Sequence, residues 1–219
     1  IDTEGRISVP DFYAGVQPLS AREKDLYAAL DVDEEAYCRE LGVTSLVGEM
    51  EYPLLERRWT RPTLDINFLG GGSPRTIIPA AAKAAISCRL VPDQDPEHVL
   101  AALEGHIRSR LPEDTRSEFK NQHISPAYYL DLDHPLVEPA LKAIHTGFGL
   151  EPVLTREGGS IPIVVDIAAR TGAPVLLVGL GQITDNWHGP NECFSLRDFH
   201  RGIRTSAALW HHLGQAVPT

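Results

Sequence analysis

Residues 63–68, Thr63-Leu64-Asp65-Ile66-Asn67-Phe68, alternate strictly between polar and apolar side chains. Only an extended strand places every second residue on one face, so the pattern predicts a half-buried strand with Leu64, Ile66 and Phe68 toward a core. The run Gly70-Gly71-Gly72-Ser73-Pro74 is expected to break it. The alternation resumes from Ala85, with Ile86, Cys88 and Leu90 inward and Ser87 and Arg89 outward, and Pro92 ends it. Asp95 then caps a helix whose first turn holds Pro96 and Glu97, residues that the positive end of a helix tolerates and favours. Its buried stripe is read as Leu100, Leu103, Ile107 and Leu111. A polar strand-like piece follows over residues 116–123. Strand, strand, helix, strand is most of a split βαβ or ferredoxin-like sandwich, whose opening strand and helix would lie before Ile1.

On the amino-terminal side, Ser20-Ala21-Arg22-Glu23 is a capping box that predicts a helix to about Leu30. A second short helix is expected from Asp33 to Leu41, stopped by Gly42 at its C′ position. After about Ser125 the pattern changes to helix, strand, helix, strand, helix. Residues 136–148 read as a helix started by Pro135, residues 152–155 as a short strand, and residues 161–170 as a helix behind Ser160. Residues 174–178 are all apolar, the signature of a strand buried on both faces, and a last helix opens at Ser195 and ends near Gly214. This is a piece of an α/β layer structure with too few strands to close a sheet of its own. The expected class is therefore α/β, organised as an α+β region over residues 1–124 and an α/β region over residues 125–219. No internal repeat or low-complexity segment interrupts it.

A length of 219 residues with 42% hydrophobic side chains can supply a core to one or two domains. The formal net charge of −10 disfavours a nucleic-acid backbone or an anionic membrane surface as partner. There is no apolar run of spanning length and no charged-then-apolar leader, so a soluble protein is expected. Three scattered cysteines, Cys38, Cys88 and Cys193, suit reduced thiols in the cytoplasm better than a disulfide framework. The opening Ile1-Asp2-Thr3-Glu4-Gly5 has no initiator methionine and reads as an interior segment of a longer protein.

His188 stands in Asp185-Asn186-Trp187-His188-Gly189-Pro190-Asn191-Glu192, a polar loop between an apolar run and a helix. In an open α/β sheet, strand ends and helix N-termini converge at such loops, where ligands and metals are met. A neutral imidazole can bind a divalent transition metal, but a catalytic zinc needs about three protein ligands and an open position. No His-x-Asp or His-x-x-x-His set accompanies it. From these residues alone, His188 is either an ordinary loop residue or one part of a larger enzyme's site.

Three motifs occur in order: Ser87-Cys88-Arg89-Leu90-Val91-Pro92-Asp93-Gln94-Asp95-Pro96-Glu97, Arg156-Glu157-Gly158-Gly159-Ser160-Ile161-Pro162, and Asn186-Trp187-His188-Gly189-Pro190-Asn191-Glu192. With them the chain, from about Pro10 to Leu213, resembles the carboxy-terminal half of a dinuclear zinc peptidase. The family is that of carnosinase, cytosolic non-specific dipeptidase, acetylornithine deacetylase and succinyl-diaminopimelate desuccinylase. Glu56-Arg57-Arg58-Trp59-Thr60-Arg61-Pro62-Thr63-Leu64 and Ile77-Ile78-Pro79 resemble the dipeptidase branch in particular.

The resemblance implies a ferredoxin-like lid or dimerisation domain followed by the end of a zinc-exopeptidase sandwich. It implies that His188 is the last metal ligand, on one of two zinc ions (Mn2+ or Co2+ in some settings) that polarise a carbonyl and activate water. Arg89 matches a lid arginine for the substrate's terminal carboxylate, a task suited to a guanidinium fork. Thr76 matches a lid hydroxyl directed to the neighbouring subunit's substrate. Glu157, Gly159 and Ser160 match the floor of the pocket, where a carboxylate receives an α-amino group and a helix N-terminus receives an oxyanion. The implied reaction is hydrolysis of a dipeptide or N-acyl amino acid by a homodimer paired through its lids.

Departures are equally specific. The family's His-x-Asp, bridging aspartate, Glu-Glu pair with the general base, and further acidic ligand match no position here, and neither does its lid histidine. The chain therefore carries no catalytic base of its own and is expected to be inactive alone. Glu34-Glu35 is a tempting substitute, but it follows Asp33 in the first turn of a helix, where acidic residues complement the dipole. Trp187 replaces a small residue, and the glycine-rich turn is short. The other class of function that fits is a non-catalytic dimerisation or binding module.

Overall fold

The computed structural model describes the chain except for Gln122, Gly158, Gly159, Ser160 and residues 217–219. It divides into two compact units, Ile1–Tyr128 with Thr155–Val165, and Tyr129–Leu154 with Asp166–Thr219. The first unit contains α1 (Ala21–Ala28), α2 (Glu34–Leu41), α3 (Leu54–Thr60), β1 (Thr63–Gly71), β2 (Ala82–Arg89) and α4 (Pro96–Arg108). The second contains α5 (Val137–Phe148) and α7 (Leu196–Ala216), while α6 (Pro162–Thr171) runs from one unit into the other.

The helix starts follow from local chemistry. Ser20 Oγ accepts from the Glu23 amide at 3.3 Å and the Ser20 amide donates to Glu23 Oε2 at 3.0 Å, so two orphan donors of α1 are satisfied reciprocally. Asp33 accepts from the Ala36 amide at 2.9 Å, and Gly42 closes α2 at φ 70°, a left-handed conformation that costs glycine little. Asp95 accepts from the Glu97 amide at 3.0 Å with Pro96 at the first helical position of α4. The helix α3 has no such signal: Pro53 precedes it without a side-chain cap, and its seven residues were not legible as a helix.

β1 and β2 pair antiparallel from Thr63↔Arg89 to Gly71↔Ala82, with an irregularity between Ile66 and Phe68. The expected break at Gly70 therefore falls inside β1, because backbone pairing with Lys83 and Ala82 carries the strand through its glycines. The expected half-burial holds only at the Leu64 end. Val9, Phe12 and Val99 form the buried centre, with Ile7, Tyr13, Leu64, Cys88, Leu90, Ala102 and Leu103 packed around it. From Ile66 onward the apolar side chains are open to solvent, with Ile66, Phe68 and Leu69 at 63%, 55% and 75% exposure. On α4 the stripe centres on Val99, which the spacing did not single out, while Leu100 and Ile107, and Leu111 past the helix end, are half-buried. Buried Gln94 ties this core together, donating from Nε2 to the Phe12 carbonyl at 2.7 Å and accepting from the Val91 amide at 3.0 Å.

The strands expected over residues 116–123, 152–155 and 174–178 do not form: among the described residues the only sheet is β1-β2. An apolar or alternating segment becomes a strand only when a neighbour takes its backbone hydrogen bonds in a continuous ladder, and among the described residues no such ladder forms along these segments. Leu177, expected to be buried on both sides, is 58% exposed.

In the second unit α5 and α7 pack at close quarters. Val137, Ala140, Ala143 and Gly147 form the buried face of α5, and Gly202 and Thr205 are buried on α7. Arg204 Nη2 donates to the Gly147 carbonyl at 3.2 Å, and the Arg201 guanidinium lies 5.5 Å from the Phe148 ring centroid. Among the described residues no helix is long and apolar enough to cross a membrane.

Candidate functional site

The loop carrying His188 is a series of tight turns held at its base by two buried carboxylates. Asp185 accepts from the Gln182 amide at 2.7 Å, its own amide donates to the Gln182 carbonyl at 3.0 Å, and its carbonyl accepts from the Cys193 amide at 3.0 Å. Asp198, on the first turn of α7, accepts from Gln182 Nε2 at 2.7 Å and from Arg201 Nη1 at 2.9 Å. Hydrogen bonds from Arg201 and Ser195 hold the Asp198 carboxyl below its ordinary range. Asn186, His188 and Asn191 all have positive φ, 54°, 60° and 61°. Asparagine and histidine are among the few non-glycine residues that enter this region readily. Asn186 Nδ2 donates to the Pro190 carbonyl at 2.6 Å and secures the turn. His188 and Trp187 are both exposed, and the Trp187 indole lies so near Gly181 that a Cβ there would meet its Cζ2 at 2.9 Å.

Asp185 and Asp198 were not singled out from the sequence, where Ser195-x-x-Asp198 reads only as a helix start. The cap is present, with the Asp198 amide donating to Ser195 Oγ at 3.3 Å, and the same carboxylate reaches back to Gln182.

In the first unit, Arg89 ends β2 opposite Thr63, and its side chain is exposed. Thr76 lies in the loop joining β1 to β2, also exposed, beside Ile77 and Ile78 at 70% and 91% exposure. That loop is at the Ala82 end of β2. A strand rises about 3.4 Å per residue, so roughly 24 Å of β2 separate Arg89 from the loop that carries Thr76. Glu157 is exposed and follows Arg156, which is anchored to α1 through Glu23 and Tyr27. Gly159 and Ser160 lie outside the described residues.

Other polar groups have structural partners. Glu34 pairs with Arg57, and Glu35 lies 3.8 Å from Arg39, so the acidic pair at the start of α2 is engaged in ion pairs. Buried Glu49 meets Arg61 in a forked pair at 2.8 to 3.2 Å, and Arg61 stacks 4.3 Å from the Tyr52 ring centroid. Burial opposes the Arg61 charge, but Glu49 outweighs it and holds the guanidinium above its ordinary value. Cys88 is pushed up to about 11 by burial and by Asp65, so it rests as a packed thiol.

Among the described residues no group of three or more His, Cys, Asp or Glu side chains could hold a metal ion. His188 alone has the chemistry of one ligand and does not make a zinc site. What these residues can do is bind and orient: a guanidinium at Arg89, a hydroxyl at Thr76 and a carboxylate at Glu157 are complementary to a carboxylate, a polar backbone and an ammonium.

Comparison with known proteins bears on this arrangement. Residues 16–115 match the M20 peptidase dimerisation domain. The Cys-Gly metallodipeptidase DUG1 of Candida albicans is 30% identical over 224 residues, covering 99% of this chain and 46% of that protein. The Beta-Ala-His dipeptidase of Rattus norvegicus is 28% identical, covering 100% of this chain and 47% of that protein. Among solved structures, the di-peptidase Dug1p of Saccharomyces cerevisiae superposes with a TM-score of 0.79 at 26% identity, covering all of this chain and 47% of that one. Human carnosine dipeptidase 1 does so with a TM-score of 0.80 at 27% identity, covering 98% of this chain and 47% of that one. The chain spans about half the length of these relatives. The mixed α/β fold, with its small sheet, is that of their dimerisation lid. Residues 16–115 are thus similar to the M20 peptidase dimerisation domain, and along 98% or more of its length the chain is similar to these dipeptidases while spanning about half of each.

Proposed function

We propose that this chain is part of a metal-dependent dipeptidase, with residues 1–124 as most of its lid and residues 125–219 as the end of its catalytic domain. The observation that carries the reading is the run of similarity to metallodipeptidases along 99% or more of the chain while it spans less than half of each. The ordered motifs around Arg89, Glu157 and His188 fall within that run.

In this reading His188 is one ligand of a zinc pair, with Mn2+ or Co2+ as possible replacements, and the remaining ligands and general base belong to the rest of the protein. Arg89 takes the terminal carboxylate of a dipeptide or N-acyl amino acid, and Glu157 takes the α-amino group. Gly159 and Ser160 complete the binding floor. No hydrolytic step is assigned to this chain, because none of its residues matches the base or completes the metal site. The separation of Thr76 from Arg89 along β2 supports giving Thr76 to the pocket of a second copy. A homodimer through the lid fits the exposed Ile66, Phe68, Leu69, Ile77 and Ile78 of the hairpin. A cytoplasmic location is part of the same reading, supported by three free cysteines.

The test compares this chain with the same sequence extended to the relatives' length. The extended polypeptide should hydrolyse cysteinyl-glycine or β-alanyl-histidine in a chelator-sensitive manner, and this chain alone should not. His188→Ala in the extended form should lower zinc content together with turnover. A full-length form that dimerises but neither binds zinc nor cleaves any dipeptide would favour a non-catalytic module.

A further inference from the structure

Arg156 is held from two sides by α1. Its Nη2 and Nε donate to Glu23 Oε1 at 2.6 Å and 2.8 Å, and its backbone amide donates to the Tyr27 hydroxyl at 3.0 Å. Glu23 and Tyr27 are four residues apart and so share one face of the helix. The side chains of Glu23 and Arg156 are only 5% and 19% exposed. The other carboxylate oxygen of Glu23 accepts from the Ser20 amide at 3.0 Å and from its hydroxyl at 2.8 Å. The Tyr27 ring meets Trp59 edge to face at 5.3 Å, which fixes the phenol.

A buried ion pair contributes little net stability, because desolvation offsets much of its Coulombic gain; what it can specify is position. Here the partners lie 133 residues apart, and the second contact is to the main chain of a segment that belongs to no helix or strand. Glu23 and Tyr27 therefore hold both the side chain and the backbone of the residue immediately before Glu157. The geometry points to Glu23 and Tyr27 as positioning residues for substrate binding: acting through Arg156, they hold Glu157 where it receives the substrate's α-amino group. This rests on the role given to Glu157 above.

The test uses the full-length peptidase and two substrates, a dipeptide with a free amino group and its N-acetylated analogue. Glu157→Gln sets the reference, raising KM for the free-amino substrate alone. Glu23→Gln, which keeps an acceptor for Ser20 but removes the charge, should reproduce that selective rise by roughly tenfold, with kcat little changed. Tyr27→Phe keeps the ring against Trp59 and the ion pair, and so tests the backbone contact where Glu23→Gln fails to fold. It should give a smaller selective rise and faster amide exchange at Arg156. If Glu157→Gln is selective while Glu23→Gln and Tyr27→Phe leave KM unchanged, positioning is overturned and the role of Glu157 stands. Equal losses on both substrates would reduce the pair to a structural contact and also overturn it. If Glu157→Gln is itself without selective effect, the role of Glu157 falls and the positioning inference falls with it.

Discussion

Replacing Gly147 with alanine sets helix propensity against packing, and the structure decides the sign. In an isolated helix the change would stabilise by about 1 kcal/mol. In α5, however, a Cβ at this position would stand 1.9 Å from Thr205 Oγ1, 2.8 Å from the Arg201 carbonyl oxygen and 2.9 Å from the Thr205 amide nitrogen. The hydroxyl can rotate away, but the two backbone atoms move only if α5 and α7 separate along the face that buries Ala140 and Ala143. Overpacking of a close-packed interface costs about 1–3 kcal/mol, and rigid backbone obstruction places this site at the upper end. The net expectation is a loss of about 2 kcal/mol after the propensity gain is subtracted. Urea unfolding followed by far-ultraviolet circular dichroism would measure it on four proteins: wild type, Gly147→Ala, Thr205→Ala and the double variant. Because Thr205 Oγ1 is buried with no hydrogen-bond partner among the described residues, Thr205→Ala alone should change stability little. In the double variant it should restore only part of the loss, since the backbone contacts persist. A Gly147→Ala protein with a higher unfolding midpoint than wild type would refute the close approach of the two helices.

Glu49→Ala should destabilise the first unit by about 3 kcal/mol in the same assay, because it leaves the Arg61 charge, on a side chain only 10% exposed, without its counter-ion; a loss below 1 kcal/mol would contradict the burial of the pair. Burial raises the Glu23 carboxyl, but hydrogen bonds from Ser20 and the Arg156 pair outweigh it and hold the group below its ordinary 4.5. A carboxyl with a depressed folded pKa contributes stability that is full above the unfolded value and lost as pH falls through the folded one. Wild type should therefore lose stability below about pH 4.5 more steeply than Glu23→Gln, and parallel acid limbs would show that the pair is not formed. Gly181→Ala should push the Trp187 indole off its seat and shift its fluorescence to the red, without unfolding the α5–α7 pair; an unchanged spectrum in a Trp59→Phe, Trp210→Phe background would count against the contact. In the full-length enzyme Arg89→Lys should weaken substrates with a free carboxylate far more than their carboxamides, since an ammonium keeps the charge and loses the fork. Equal losses on acid and amide would remove Arg89 from carboxylate recognition.

Features governed by a few neighbouring residues were legible in the sequence. The capping box at Ser20, the Asp33 and Asp95 caps, the left-handed end at Gly42, and the alternation through Leu64 and Cys88 all appear where the spacing put them. Each is a bargain between atoms at most a turn or one strand apart, so a short window contains all its terms. The motifs around Arg89, Glu157 and His188 were legible as a resemblance for a different reason, since ordered chemical groups mark a family without any coordinates.

Tertiary structure alone decided what depends on distant partners. Residues 174–178 have every local property of a buried strand, yet among the described residues they join no sheet. Ile66 and Phe68 alternate as a core face should, but the core reaches only to Leu64. Glu23 reads as a cap and is also the anchor of Arg156, and Asp198 reads as a helix start and is also the brace of the His188 loop. Hydrogen bonds and ion pairs act over a few ångströms of space, not of sequence. A residue's second partner therefore becomes visible only when folding has brought the far segment to it.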